Sequence, residues 1–251
     1  MGELSRRLFT QNTLDSVLTY SLLAACFSCD VFGDKVSPIT TSWFNDLNQL
    51  GLDLKDNKIS QLVWQEKLEE LYARVQLAEL LELIDFDKLT KTLELKDKGA
   101  RSLRFSFPKI AELPDKFVYG KQVFALKKGR SVVPHGHNNM ATAFMVLKGN
   151  FHGRHYDRVE DEKKHMIIKP TIDAKFGPGK TSSISDVKDN VHWFKAQDEP
   201  AFIYNIHVFG LNPESGKRTS RVYVDPNGEK LDDGLIRARL IDYKEAHQLY
   251  G

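Results

Sequence analysis

Two histidines one residue apart, His135 and His137, stand in the stretch VVPHGHNNMATAFMVLKGNFHGRHYD between Val132 and Asp157. On a β-strand, residues i and i+2 project from one face. The pair can therefore aim two imidazoles at a single point about 2 Å from each ring nitrogen, a chelate for a divalent metal. Pro134 and Gly136 shape the bend around it. At a strand end the same residues could equally be solvent-facing polar groups, so the pair alone leaves both readings open.

Other residues with chemical potential are less promising. Both cysteines, Cys26 and Cys29, lie near the N-terminus, which excludes a thiol nucleophile or a disulfide framework from the rest of the chain. Their C-x-x-C spacing has no second pair or nearby histidine to complete a zinc site, and it reads as small buried hydrophobes. FGPGKTSS carries Gly179-Lys180-Thr181, but Ala174 stands where a phosphate loop needs its first glycine, so the stretch reads as a turn. His152 and His155 are an odd number apart and face opposite sides of a strand, with His155 in the hydrogen-bonded core or at the surface. His165 and His247 read as structural or solvated. Glu160 to Lys164 is a charged, solvated turn, and Trp193 and Phe194 are packing residues, one inward and one outward.

With 251 residues, 41% of them hydrophobic, the chain can bury a sizeable core in one domain, or in one domain with an appendage. Its 36 basic and 34 acidic residues are interspersed and give a net charge of +2. There is no concentrated basic patch of the kind nucleic acid requires, so small molecules or proteins are the expected partners.

The elements that must hold these histidines follow from periodicity. Residues 31–95 read as helical. Thr41 or Ser42 caps a short helix ending near Gly51, Ser60 to Val75 carries Leu62, Val63, Leu68, Leu71, Tyr72 and Val75 at helical spacing, and Leu77 to Ile84 adds another turn or two. Residues 96–251 read as a β domain. LRFSF from Leu103, FVYGKQVFAL, TAFMVL, His165–Lys169, Val191–Ala196, Ala201–Val208 and Arg221–Val224 are short strands separated by turn residues. So many short strands predict an antiparallel sandwich or barrel. DDGLIRARLIDYKEAHQLY reads as a closing amphipathic helix packed through Leu235, Ile236, Leu240 and Tyr243.

Over residues 100–225 the sequence resembles the cupin superfamily, whose first motif spaces a glycine, His-x-His, a glutamate and a second glycine as Gly129, His135, His137, Thr142 and Gly149 are spaced here, with Thr142 replacing the glutamate. The second motif is matched by KDNVHWFKA, with His192 as the further histidine and Asp189 where a glycine is usual. The resemblance implies a mainly β, jelly-roll barrel flanked by an N-terminal helical region and a C-terminal helix, with His135, His137 and His192 as metal ligands. Loss of the carboxylate makes the site similar to that of the thiol dioxygenases, the cysteine dioxygenase-like cupins, which use three histidines and iron(II). That implies an Fe(II) enzyme, or one using another divalent metal, acting on a small thiol or related molecule with dioxygen. His207, Asn205 and Phe209 match that family's Ser-x-His-x-Tyr array, so His207, Asn205 and Thr142 are implied at the reacting centre, without the tyrosine hydroxyl. Arg104 and Lys109 are weak candidates for a substrate-carboxylate partner. The alternatives are a cupin oxygenase of another reaction type, such as a diketone or flavonol-type enzyme, and a cupin that holds a metal or ligand without turnover.

Residues 1–30 offer two readings. SRRLF followed by VLTYSLLAAC is similar to a twin-arginine export signal, and LAAC to a lipoprotein cleavage site, which implies export and membrane association only through a lipid on Cys26. The alternative is an amphipathic helix carrying Val17, Leu18, Leu22 and Leu23, in a chain that stays in the cytoplasm.

Overall fold

In the computed structural model the described residues are 38–107, 113–212, 214 and 216–251; the readings placed on Arg6–Arg7, Val17–Leu23, Cys26, Cys29 and Lys109 lie outside them. Helix α1 runs Pro38–Lys55, starting earlier and ending later than a cap at Thr41 or Ser42 and a stop at Gly51 would give. A proline is well placed at a helix start, where its missing N–H has no partner to lose. Gly51 is a packing residue rather than a terminator, because a Cβ there would lie 2.6 Å from Val118 Cγ1. Helix α2, Gln61–Tyr72, is capped by Ser60, whose hydroxyl accepts from the Val63 N–H. It buries Trp64, Gln65, Leu68, Leu71 and Tyr72, so Leu68, Leu71 and Tyr72 face the core as the spacing predicts, while Leu62 is exposed. Short helices α3 (Leu77–Leu83) and α4 (Phe86–Thr90) complete the helical layer.

Eleven strands follow among the described residues: β1 (Arg101–Leu103), β2 (Gly120–Leu126), β3 (Ser131–Asn138), β4 (Met140–Lys148), β5 (Phe151–Asp161), β6 (His165–Phe176), β7 (Thr181–Ile184), β8 (Val191–Ala196), β9 (Ala201–Phe209), β10 (Ser220–Lys230) and β11 (Ile236–Leu240). Every pairing is antiparallel. One sheet has the order β1-β2-β9-β4-β7, and β10-β11-β6-β5-β8-β3 close on themselves as a barrel.

Three expectations are corrected. The alternation of LRFSF does not make a strand beyond Leu103; Phe105 and Phe107 instead join an aromatic cluster with Phe44, Phe117 and Tyr204. The C-terminal stretch is not one helix. Ile236-Arg-Ala-Arg-Leu240 has a period of two, and it pairs as β11 with β10 and β6, burying Ala238. Only Tyr243–Tyr250 is helical (α5), capped by Asp242, which accepts from the Glu245 N–H at 2.8 Å. Finally, only Gly177–Lys180 of FGPGKTSS is a turn: Phe176 ends strand β6, and Thr181–Ile184 is strand β7.

Strand β4 explains how helices and barrel share one wall. Ala141, Ala143, Met145 and Leu147 meet Phe44, Leu47, Trp64 and Leu68 of the helices, while Phe144 and Val146 face a second core with Phe151, Phe176 and Phe194. A strand covered on both faces reads as a continuous apolar run rather than an alternation. Thr142, fully buried on the inward side of this wall, is a polar break beside the histidines.

Candidate metal centre

Strand β3 carries His135 and His137, and β8 carries His192, placed by the register His135↔His192. The rings converge: centroids lie 4.2 Å apart for His135–His192, and 5.0 Å for both His135–His137 and His137–His192. One ligand atom from each lies within 4.8 Å of the others, and all three side chains are buried. His135 Nδ1–H donates to the Val133 carbonyl at 2.7 Å, which frees Nε2 as a lone-pair donor. His135 Nε2, His137 Nε2 and His192 Nδ1 are buried with no hydrogen-bond partner. Burial holds all three imidazoles well below the usual histidine range, helped by their mutual repulsion and by the positive charge of Arg221. Three neutral imidazoles, each with an unpartnered buried ring nitrogen and together offering ligand atoms within 4.8 Å of one another, have the donor chemistry of a divalent-metal site. Among the described residues no carboxylate belongs to the group.

The backbone that presents the histidines is unusually constrained. Gly136 admits the Asn190 side chain, since a Cβ there would lie 2.7 Å from Asn190 Oδ1 and 3.2 Å from Val191 Cγ2. Asp189 takes a left-handed conformation, φ 55°, at the position where the resemblance places a glycine. Its N–H donates to Asp157 Oδ1, and its carboxylate accepts from the Thr171 hydroxyl. Gly149, φ 73°, turns the chain from β4 to β5 against Ala201.

Around the triad, Thr142 Oγ1 is 3.4 Å from His137 Nδ1 and 2.9 Å from His207 Nδ1, and the Gln122 amide nitrogen is 3.0 Å from His207 Nε2. Gln122 Oε1 accepts from the Ser102 hydroxyl at 2.6 Å. A polar chain therefore runs from Ser102 through Gln122, His207 and Thr142 to His137. Burial pushes His207 down to about 3. Phe209 stacks on the His207 ring at 5.6 Å. Asn205 is fully buried, its amide donates to its own strand at Ile203, and its Oδ1 has no partner.

A cavity of about 230 Å³ opens beside His135, lined among others by Ser102, Gln122, Arg221, Tyr223, Tyr243 and His247. The register of β10 on β3, Arg221↔His137 and Tyr223↔His135, sets both β10 residues against the histidine pair. These residues were not singled out in the sequence as site residues. Arg221 was one basic residue among 36, and its strand could be aligned with the histidines only once the pairing was known. His247, read as structural or solvated, lines this cavity, its ring seated over Gly99. Arg104 does not line the cavity beside His135, whereas Arg221 does.

His155 is fully buried on β5 with Ser182 Oγ 3.3 Å from both ring nitrogens, and it stacks on Phe176. His152 faces outward to Asp173 and Arg154 lies over Trp193, while Phe194 points into the core. A further cavity of about 450 Å³ reaches His137 from the other side, where Arg158 donates to the His137 carbonyl and pairs with Asp161.

Among the described residues, a five-stranded antiparallel sheet and a closed six-stranded antiparallel barrel, with three inward-facing histidines on neighbouring strands, define a mainly β fold whose centre could hold a metal ion. No protein-family model matches the chain, and no curated protein matches it by sequence. Among solved structures it is similar to procruciferin, an 11S globulin from Brassica napus (TM-score 0.31, 13% identity, 41% of this chain and 22% of that one). It is also similar to a cupin superfamily protein from Desulfitobacterium hafniense (TM-score 0.32, 12% identity, 48% and 87%) and to a recombinant oxalate oxidase in complex with glycolate (TM-score 0.34, 15% identity, 51% and 56%). The chain spans about a fifth, 22%, of the length of procruciferin and of the 11S globulin from Wrightia tinctoria.

Proposed function

We propose that the protein is a non-haem iron dioxygenase acting on a small anionic thiol, with His135, His137 and His192 as the iron ligands. The observation that carries this reading is the convergence of three buried histidines, each with an unpartnered ring nitrogen, with no carboxylate among them. Neutral ligands leave the double charge of a divalent ion uncompensated, so the centre favours an anionic ligand such as a thiolate. Arg221 adds positive charge on the same side. Bound iron(II) would supply Lewis acidity toward the thiol and a redox centre for dioxygen, with both oxygen atoms ending on sulfur as a sulfinate.

The protein's own part is orientation and exclusion. Val133 fixes the His135 tautomer. His137 can offer Nε2 as a ligand only if Nδ1 carries the proton and donates to Thr142. The Thr142 hydroxyl then donates to His207 Nδ1, and His207 Nε2–H requires the carboxamide oxygen of Gln122, so in the loaded site the Gln122 amide is turned over from the orientation in which its nitrogen faces His207 and its oxygen accepts from Ser102. Arg221 pairs with an anionic group of the substrate in the cavity, whose volume of about 230 Å³ admits only a small molecule. With Phe209 at the end of β9, no tyrosine hydroxyl assists there.

The test is oxygen uptake by protein loaded anaerobically with iron(II), measured with a panel of small thiols with and without a carboxylate. Uptake that needs both iron and thiol supports the proposal. Iron binding without uptake on any thiol leaves a cupin that holds a metal without this turnover.

A further inference from the structure

Strand β8 begins at Val191, one residue after the position that its register sets opposite His137. There Asn190 stands, and its side chain takes over the ladder. Asn190 Oδ1 accepts from the His137 N–H at 3.3 Å, and Asn190 Nδ2 donates to the His137 carbonyl at 3.0 Å and to the Ser185 carbonyl at 2.9 Å. Asn190 is 1% exposed, and Gly136 leaves it the room to approach. Ser185 is held in turn by helix α2: its hydroxyl donates to Gln65 Oε1 at 2.8 Å, and Gln65 Nε2 donates to Ser183 at 3.2 Å. Gln61, one turn earlier, accepts the Asp186 N–H at 2.8 Å. Gln65 is 2% exposed, a polar side chain spent in the middle of a helix face that is otherwise apolar.

We infer that Asn190 is a positioning residue for the His137 ligand and that helix α2, acting through Gln65 and Ser185, holds Asn190 in place, so that the affinity of the three-histidine centre is set partly from the helical layer. The inference rests on the metal reading above. The carboxamide fixes both backbone groups of the residue whose ring must point at the ion, and a buried carboxamide satisfied at both ends has one orientation. Arg158 also donates to the His137 carbonyl, at 3.2 Å, but it does not touch the N–H. The Asn190 side chain is what joins both ends of this residue to the helices.

The experiment is cobalt(II) titration of the metal-free full chain, followed by the visible bands of the bound ion, for the wild type and three variants. Asn190→Ala weakens binding about 10- to 100-fold and alters the band intensities. Gln65→Leu, which keeps the volume of the helix face and removes only the polar link, weakens it roughly 3- to 10-fold. Leu68→Ala opens a cavity in the same helix, lowers the apo melting temperature by roughly 5 °C or more, and leaves cobalt affinity within about twofold of wild type. Should Asn190→Ala fail to fold, Gln65→Leu carries the test. Wild-type affinity in the Asn190 and Gln65 variants, or an equal loss in Leu68→Ala, overturns the positioning role while the metal reading stands. A wild-type chain that takes up no cobalt overturns the metal reading and this inference with it.

Discussion

His155 offers a quantitative test of how the barrel interior treats charge. It is fully buried, its polar contact is the Ser182 hydroxyl at 3.3 Å, and burial pushes its pKa from 6.5 to about 3. The unfolded chain binds a proton on this ring near pH 6.5, whereas the native state binds it only near pH 3. Between those values the unfolded state holds one more proton, so falling pH favours unfolding. The stabilisation is complete above about pH 6.5 and is lost on the way down to about pH 3. Over the whole interval it amounts to roughly 5 kcal/mol, with a limiting slope of about 1.4 kcal/mol per pH unit and roughly 2 kcal/mol falling between about pH 6.5 and 5. His155→Phe keeps an aromatic ring against Phe176 and removes the titrating group. Urea denaturation of the chelator-treated protein at several pH values should show the variant losing about 2 kcal/mol less than wild type on acidification to about pH 5. Parallel pH profiles for the two proteins would refute the reasoning.

Three further outcomes follow from the contacts around the triad. Thr142→Val leaves His207 Nδ1 buried without its 2.9 Å partner and should cost about 1–3 kcal/mol in urea denaturation; a cost under about 0.5 kcal/mol contradicts the polar chain. Gly136→Ala places a methyl 2.7 Å from Asn190 Oδ1 and should cost about 1–3 kcal/mol and lower metal occupancy, measured by calorimetry and elemental analysis on one preparation; unchanged occupancy would show that the loop absorbs the methyl. Arg221→Met should raise KM at least about tenfold for a carboxylate-bearing thiol while changing kcat less than about threefold and leaving an uncharged thiol unaffected; an equal effect on both thiols removes Arg221 from substrate recognition.

Strand content and the inward pair were legible because they rest on local rules. Parity alone puts His135 and His137 on one face, and β8 and β9 appear where branched and aromatic residues cluster. His192 needed more, because strand pairing that brings residues 57 positions apart into register is not a local property; the motif resemblance carried it. What stayed hidden depends on tertiary pairing. Asn190 is an ordinary polar residue until its side chain is seen replacing a backbone ladder, and Arg221 gains its place only through the register of β10 on β3. The C-terminal error has a local cause. Ile236, Leu240 and Tyr243 satisfy a helical spacing while Ile236, Ala238 and Leu240 satisfy a strand, and the barrel's need for a partner to β6 and β10 decides between them.

The measurement that bears most directly on the central claim is iron content, by elemental analysis, of the wild-type chain and of the His135→Ala/His137→Ala double variant, each reconstituted anaerobically and desalted. The account predicts close to one iron per wild-type chain and essentially none in the variant, with thiol-dependent oxygen uptake tracking the iron. Wild-type protein that retains no iron, or a variant that retains as much, would contradict a metal centre built on these histidines.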